Sequence, residues 1–307
     1  MEYNFVGSDY LKKIHKELLL VSVFLIFIVY AFSLWTFTGL MSKNQGKVIV
    51  RDFERSYLYQ NTLSNPSYMA LKKETFSGTF TSKKKVEKLM GTAFQLAGDQ
   101  ESQIFYIDIL QGKMAKSKIE ALKFQKKVIN DVAYVKINGF NGKLIPTFEK
   151  AVDGFEGKQK SIILDLRGTT YGDMELAAIV ADEFIPGGKE ICTLDGAVSK
   201  NVIKSDVFAY DFEKIYVFLD KDSGAPAEML ALALQQNIPD KVVLVGNSSK
   251  QATTAFIDKN YSVHFGTSIA LAKWSVNGYN SAAIQSALIK GNYPAMESLD
   301  DYMKQVK

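Results

Sequence analysis

The sequence predicts an α/β protein: a mainly parallel sheet with flanking helices, preceded by one transmembrane helix. Three observations carry that expectation. An apolar run without a single charge extends from Leu18 to Ser42. From Val132 onward, short β-branched or aromatic runs alternate with stretches of helical period, and glycine or proline separates them. Parallel neighbours need crossover connections, and alternating helices supply them.

Length and composition narrow the class further. The 307 residues suit one large or two ordinary domains. With 47% hydrophobic and 23% charged residues, disordered and collagen-like chains are excluded. The 37 basic and 33 acidic side chains are interspersed along the chain, so a net charge of +4 makes no nucleic-acid footprint. One cysteine and two histidines cannot build a disulfide framework, a Cys/His zinc site or a haem pocket. No cofactor and no nucleic-acid partner are therefore expected.

Residues 1–17 read as a short N-terminal tail and 18–42 as the transmembrane helix, long enough to cross the ~30 Å of a hydrocarbon core. A cleavable signal peptide would have an apolar core of about 7–15 residues and a small-residue cleavage site. This run is longer and ends in Phe37, Leu40 and Met41, so an uncleaved anchor is expected. Lys12, Lys13 and Lys16 precede it while Lys43, Lys47 and Arg51 follow, which nearly balances the positive-inside comparison. A single-pass protein of the cell membrane with an extracytoplasmic body is the default. Residues 43–130 form a stalk or small mixed lobe. It holds an amphipathic stretch (Val86, Leu89, Met90, Phe94, Leu96), a solvated helix start at Lys83-Lys84-Lys85 with an anionic lipid contact as the lesser alternative, and the alternating run QIFYIDIL at 103–110.

Residues 131–307 form the α/β domain. VAYVKI (132–137) reads as a strand, Pro146 opens a helix with Phe148, Ala151, Val152 and Phe155 on one side, and SIILDLRG (161–168) is a buried strand. A helix with Leu176, Ala177, Ile179, Val180 and Phe184 stops at Pro186-Gly187-Gly188. Strand IYVFLD (215–220), helix 226–237 and strand KVVLVG (241–246) follow.

In such sheets ligands bind beyond the carboxyl ends of the strands. That directs the search to LDLRGTTYGD (164–173), LDKDSGAPAEML (219–230) and VGNSSKQATT (245–254). A serine, a lysine and glycine-supplied N–H groups converging from three loops would suit acyl transfer by a serine nucleophile with a lysine base.

These residues resemble the carboxy-terminal processing (tail-specific) serine peptidases, which have a ClpP/crotonase-like α/β fold. The resemblance covers roughly residues 130–278. VAYVKINGF is similar to the strand leading into the catalytic core, and IILDLRGTTYGDMELAAIVADEFIPGG to the Leu-Asp-Leu-Arg stretch, glycine turn and helix. VFLDKDSGAPAEMLALALQQ is similar to the nucleophile loop and helix, and LAKWSVNG (271–278) to the late strand and turn. The resemblance implies structural roles for Asp165, Arg167 and Glu228. It puts the nucleophile position at Ala225, which has no nucleophile, and the general base at Lys250. The glutamine expected four positions after the lysine is Thr254, and the paired oxyanion glycines become Tyr171-Gly172. The residue whose N–H would help hold the oxyanion is Pro226, which has none. Ser223 is the alternative nucleophile, although a cap or turn role is the simpler expectation. No glycine-bearing carboxylate loop of a PDZ module is visible between residues 45 and 130.

Position 225 has a local reading too. With Pro226 at N1 and Glu228 at N3, residue 225 is expected to be the helix N-cap, where serine would complete a capping box and alanine costs about 1 kcal/mol. Either an ancestral serine was lost or a serine was deliberately replaced; Pro226 and Tyr171 favour the first. His264 is expected to be a structural strand histidine and Cys192 a small buried hydrophobe. The chain is thus expected to be an inactive, membrane-anchored peptidase homologue that binds polypeptide or a partner protein, with oligomers possible. An active Ser/Lys endopeptidase, or a structural component of a membrane complex, are the alternatives.

Overall fold

The computed structural model describes residues 7–106, 124–141, 143–170, 172–262, 265–288 and 298–306, with side chains left out at 7–14, 31–38, 106 and 262. Positions 107–110 of the alternating run, Tyr171 and His264 lie outside the described residues. The chain divides into two compact units, Met1–Phe53 with Asn61–Gly98, and Glu54–Gln60 with Asp99–Lys307.

The first unit begins with α1 (Gly7–Thr38), followed by β1 (Leu40–Ser42), α2 (Lys43–Ser56), α3 (Pro66–Thr75), β2 (Phe80–Ser82) and α4 (Lys83–Ala97). The helix expected over 18–42 therefore starts earlier, inside the expected tail, and stops at Thr38, because Gly39 turns at φ +58°. Leu18 to Tyr30 are exposed throughout. Among the described residues no helix is long and apolar enough to cross a membrane; the described side chains of α1 run only from His15 to Tyr30. Helix α4 starts at an N-cap, Ser82, whose hydroxyl accepts from the Lys85 N–H, and ends at left-handed Gly98. It buries Val86, Leu89, Met90 and Phe94 as its spacing predicts, whereas Leu96 points outward, 39% exposed. Phe94 meets Phe53 of α2 edge to face, ring centroids 5.8 Å apart.

The second unit holds two sheets. The first has strand order β10-β9-β6-β5-β4, with β4 (Gln125–Ile129), β5 (Val132–Lys136), β6 (Ser161–Asp165), β9 (Lys214–Phe218) and β10 (Val242–Val245). All its pairings are parallel except β4 with β5. The parallel strands are apolar without alternation because they are buried on both faces; Ile162, Ile163 and Leu164 are all fully buried. One face is covered by α5 (Leu144–Asp153), α6 (Met174–Asp182) and α7 (Ala225–Asn237). On the other face Tyr134, Ile163, Tyr216, Phe218 and Val245 pack against Tyr302 of α9 (Leu299–Met303).

The second sheet corrects the expectation of a single mainly parallel one. It is antiparallel throughout, in the order β11-β12-β7-β8, with β7 (Glu190–Gly196), β8 (Lys200–Lys204), β11 (Thr254–Ser262) and β12 (Phe265–Ser275). Its strand β12 also pairs with β3 (Gln103–Tyr106). With β3 and β4 taken into these sheets, the seam of the small lobe falls at Gly98 rather than near residue 130. A short helix, α8 (Ala282–Ala287), packs against α7.

Candidate active site

Three loops leave the carboxyl ends of the parallel strands β6, β9 and β10, and backbone hydrogen bonds join them. The Gly224 N–H donates to Thr169 O at 2.9 Å, and the Lys250 N–H to Ser223 O at 3.0 Å. The Gly168 N–H donates to the Asp220 carboxylate at 2.9 Å. The turn after Arg167, the helix start and the third loop are therefore neighbours. Beyond them, Thr169 Oγ1 donates to Ile137 O and the Asp173 N–H to Phe140 O, which holds the first loop beside the segment after β5.

Helix α7 begins one residue earlier than the capping argument predicts. Gly224 is the N-cap, Ala225 is the first helical residue and Pro226 the second, and the Glu228 N–H reaches Gly224 O at 2.9 Å. A side chain at 224 has no room, since its Cβ would lie 2.3 Å from Thr170 O. Tertiary crowding overrides the local preference for a capping hydroxyl, and serine is not required at 225 for capping. The Ala225 methyl is 5% exposed.

Ser223 is fully buried and its hydroxyl is committed. It accepts from the Asp220 N–H at 2.9 Å, with Leu166 O and Asp220 Oδ1 each 3.0 Å away as acceptors for its proton. That is the geometry of a turn-closing serine. Lys250 carries its ammonium 3.7 Å from the Glu101 carboxylate, with 43% of the side chain exposed. Thr254 is buried at the start of β11. Gly172 sits at φ +145° beside Phe140, where a Cβ would meet Phe140 N at 2.6 Å.

Glu228 lies in the first turn of α7, fully buried, and ties the third loop down. Its carboxylate accepts from the Gln251 N–H at 2.5 Å and the Ala252 N–H at 2.8 Å, while Gln251 is held at φ +58°. Burial pushes the Glu228 carboxyl above the usual range, against the pull of these N–H groups.

Beneath the first loop, Asp165 and Arg167 form an ion pair. Arg167 donates from Nε at 2.8 Å and Nη2 at 2.7 Å, a bidentate fork. Tyr134 OH donates at 2.5 Å and Lys136 Nζ lies 3.4 Å away. Burial alone would raise the Asp165 pKa, but the Arg167 hydrogen bonds and the Lys136 charge outweigh it and hold the carboxyl below its ordinary value. The Arg167 guanidinium stacks 4.5 Å from the Tyr302 ring centroid. Tyr134, Lys136 and Tyr302 escaped the sequence reading; the one available signal was a lysine at the end of an otherwise apolar strand.

At the position that the resemblance assigns to a nucleophile the three loops present the Ala225 methyl, and the next residue, Pro226, has a backbone nitrogen with no proton. Among the described residues no group of three His, Cys, Asp or Glu is placed to hold a metal.

Residues 131–290 match the model of peptidase family S41. Over 147 residues the chain is 29% identical to the carboxy-terminal processing protease CtpA of Bacillus subtilis (strain 168), a match covering 47% of this chain and 31% of that protein. The chain thus matches about a third of its curated relative's length. Among solved structures, a lipoprotein from Streptococcus agalactiae superposes with TM-score 0.59 at 16% identity, covering 78% of this chain and 87% of that one. The photosystem II D1 C-terminal processing protease superposes with TM-score 0.51 at 10% identity, covering 78% and 90%. At those identities the likeness is one of fold. The family match, extending over the three loops and the strands that carry them, establishes that the chain belongs to peptidase family S41, the C-terminal processing peptidases.

Proposed function

We propose that the chain is a membrane-anchored member of this family, of ClpP/crotonase-like fold, that binds polypeptide without cleaving it. The carrying observation is Ala225 as the first residue of α7, followed directly by Pro226. The first removes the attacking oxygen. The second removes an oxyanion donor, a loss that alone costs about 10²–10³ in rate. The buried, doubly engaged Ser223 hydroxyl does not replace the nucleophile. Burial of the Ala225 methyl supports the same reading, since it leaves little room for a carbonyl to approach.

A binding surface remains beside the first loop. Beyond β5 lies a cavity of about 130 Å³, with Phe124, Ile137 and Leu144 supplying apolar wall and Asn138, Asn141 and Lys143 polar rim. It is sized for one side chain of an extended polypeptide. The anchor is the uncharged stretch 18–42, most of which lies in the 32-residue helix α1. On this reading the body lies at the outer face of the cell membrane.

A fluorogenic peptide library tests this on the full chain, alongside Ala225→Ser, Lys250→Ala and the double variant. The chain as it stands gives no turnover but binds peptide, and Ala225→Ser alone recovers little because Pro226 still lacks its proton. Lys250-dependent turnover by the unaltered chain overturns the reading.

A further inference from the structure

The β1–β2 ribbon has two unlike faces. Its register pairs Leu40 with Ser82, Met41 with Thr81 and Ser42 with Phe80. Directly opposed residues share a face, so Met41 and Thr81 lie on one side while Leu40, Ser42, Phe80 and Ser82 lie on the other. The inner side packs on α2 at Gly46, where an added Cβ would meet Thr81 Cγ2 at 2.6 Å and Met41 Sδ at 3.5 Å. The outer side shows solvent two large apolar groups, Phe80 at 65% and Leu40 at 43% exposure.

Only Gly39 separates this ribbon from the end of α1, and the Lys83 N–H donates to Gly39 O at 2.8 Å. The outer face is therefore within a residue or two of the apolar helix. Its surroundings are basic. The balanced charge of the whole chain conceals ten Lys and Arg against four Asp and Glu between Gly39 and Gly98. Lys43 directly follows β1, and exposed Lys84 and Lys85 lie just past β2. Three lysines in the first turn of α4 oppose the helix dipole, so helix stability does not account for them. An exposed aromatic ring flanked by ammonium groups suits the boundary between acyl chains and anionic headgroups.

We propose that the outer face of the β1–β2 ribbon docks on the surface of an anionic phospholipid bilayer, with Phe80 and Leu40 entering the interface and Lys43, Lys84 and Lys85 on the headgroups. This rests on the anchor reading above, because α1 must hold the ribbon at that surface. Docking would set the angle at which the small lobe leaves the membrane.

Two labelled variants separate the two readings. Cys192 is buried, its thiol pushed up to about 12 by burial and by Glu190, so a cysteine introduced elsewhere takes a thiol-reactive dye selectively near neutral pH. Full-length Phe80→Cys and Leu25→Cys carry an environment-sensitive fluorophore in nanodiscs of neutral lipid, or of neutral lipid with 30% phosphatidylglycerol. The Leu25 label reports α1 and is bright in both discs. The Phe80 label brightens and shifts to the blue by roughly twofold or more in the anionic discs, and Lys84→Glu with Lys85→Glu abolishes the gain. A Phe80 label that stays dim beside a bright Leu25 label overturns the docking and leaves the anchor standing. A dim Leu25 label overturns both. Equal brightening in neutral discs overturns the assignment to anionic lipid. Brightening in detergent that grows with protein concentration shows a second copy of the chain on the face instead, and overturns the proposal as well.

Discussion

Asparagine at position 165 keeps the shape of the side chain and removes its charge. Asp165 is fully buried and accepts from Tyr134 OH, the Arg167 N–H, both reaching nitrogens of the Arg167 fork and Lys136 Nζ. An asparagine offers one oxygen to these donors and turns an NH₂ group toward the rest. Taking one partner from a buried pair costs about 3–5 kcal/mol. The Lys136 side chain, 20% exposed, keeps some access to water, which argues for the lower end. Against a total stability of about 5–15 kcal/mol that is a large fraction. With a urea dependence of about 2–3 kcal/mol/M, the unfolding midpoint should fall by roughly 1–1.5 M. Arg167→Met added to Asp165→Asn should return much of the loss, because the stranded guanidinium goes with it. A drop below about 1 kcal/mol for Asp165→Asn, or additive losses in the double variant, would refute the argument that this pair is a mutually dependent buried unit. The pH dependence has a definite sign. The folded pKa is depressed, so the contribution is present above the ordinary carboxylate pKa and disappears as pH falls through the still lower folded value.

Three further outcomes follow from other groups. Ser223→Ala should cost about 1–3 kcal/mol in chemical unfolding, because it takes this partner from the buried Leu166 O and the half-buried Asp220 N–H, and should leave peptide turnover where it was. Gly224→Ala should destabilise by 1–3 kcal/mol or more, since the new Cβ can be seated only by pushing the 168–170 turn away; an unchanged midpoint would contradict the close approach described above. Glu183, at the C-cap of α6, is pushed up to about 7 by burial and by Glu149, Asp182, Asp206 and Asp153. The folded state holds that proton longer than the unfolded chain, so stability falls as pH rises from about 4.5 toward 7, and Glu183→Gln should flatten this decline in thermal melts between those limits.

The parallel sheet was legible because its strands are buried on both faces and announce themselves as unbroken apolar runs. IILD, IYVF and VVLV lie in β6, β9 and β10 within a residue or two of expectation. The last three residues of the predicted 161–168 strand were misread, since Arg167 and Gly168 leave the sheet to reach Asp165 and Asp220. The antiparallel sheet was mostly illegible. Its strands alternate weakly, β8 in particular is almost wholly exposed, and β12 draws partners from β3, β7 and β11 that no local pattern connects. Around the site, the sequence located all three loops but misplaced the cap of α7. A propensity argument weighs residue 225 alone, while the helix start was decided by Thr170 pressing on Gly224 from 54 positions away.

Tyr302 gives α9 a mechanical part. Its hydroxyl hangs from Leu219 O at 2.7 Å, one residue from the loop that carries Asp220 and Ser223, and its ring roofs Phe218 and Arg167. Tension or trimming at residues 298–306 would thus reach the loop that carries Ser223 through this hydroxyl and through the packing of α9 on the sheet. Loss of residues 298–306 is for this protein an intervention at the loop after β9.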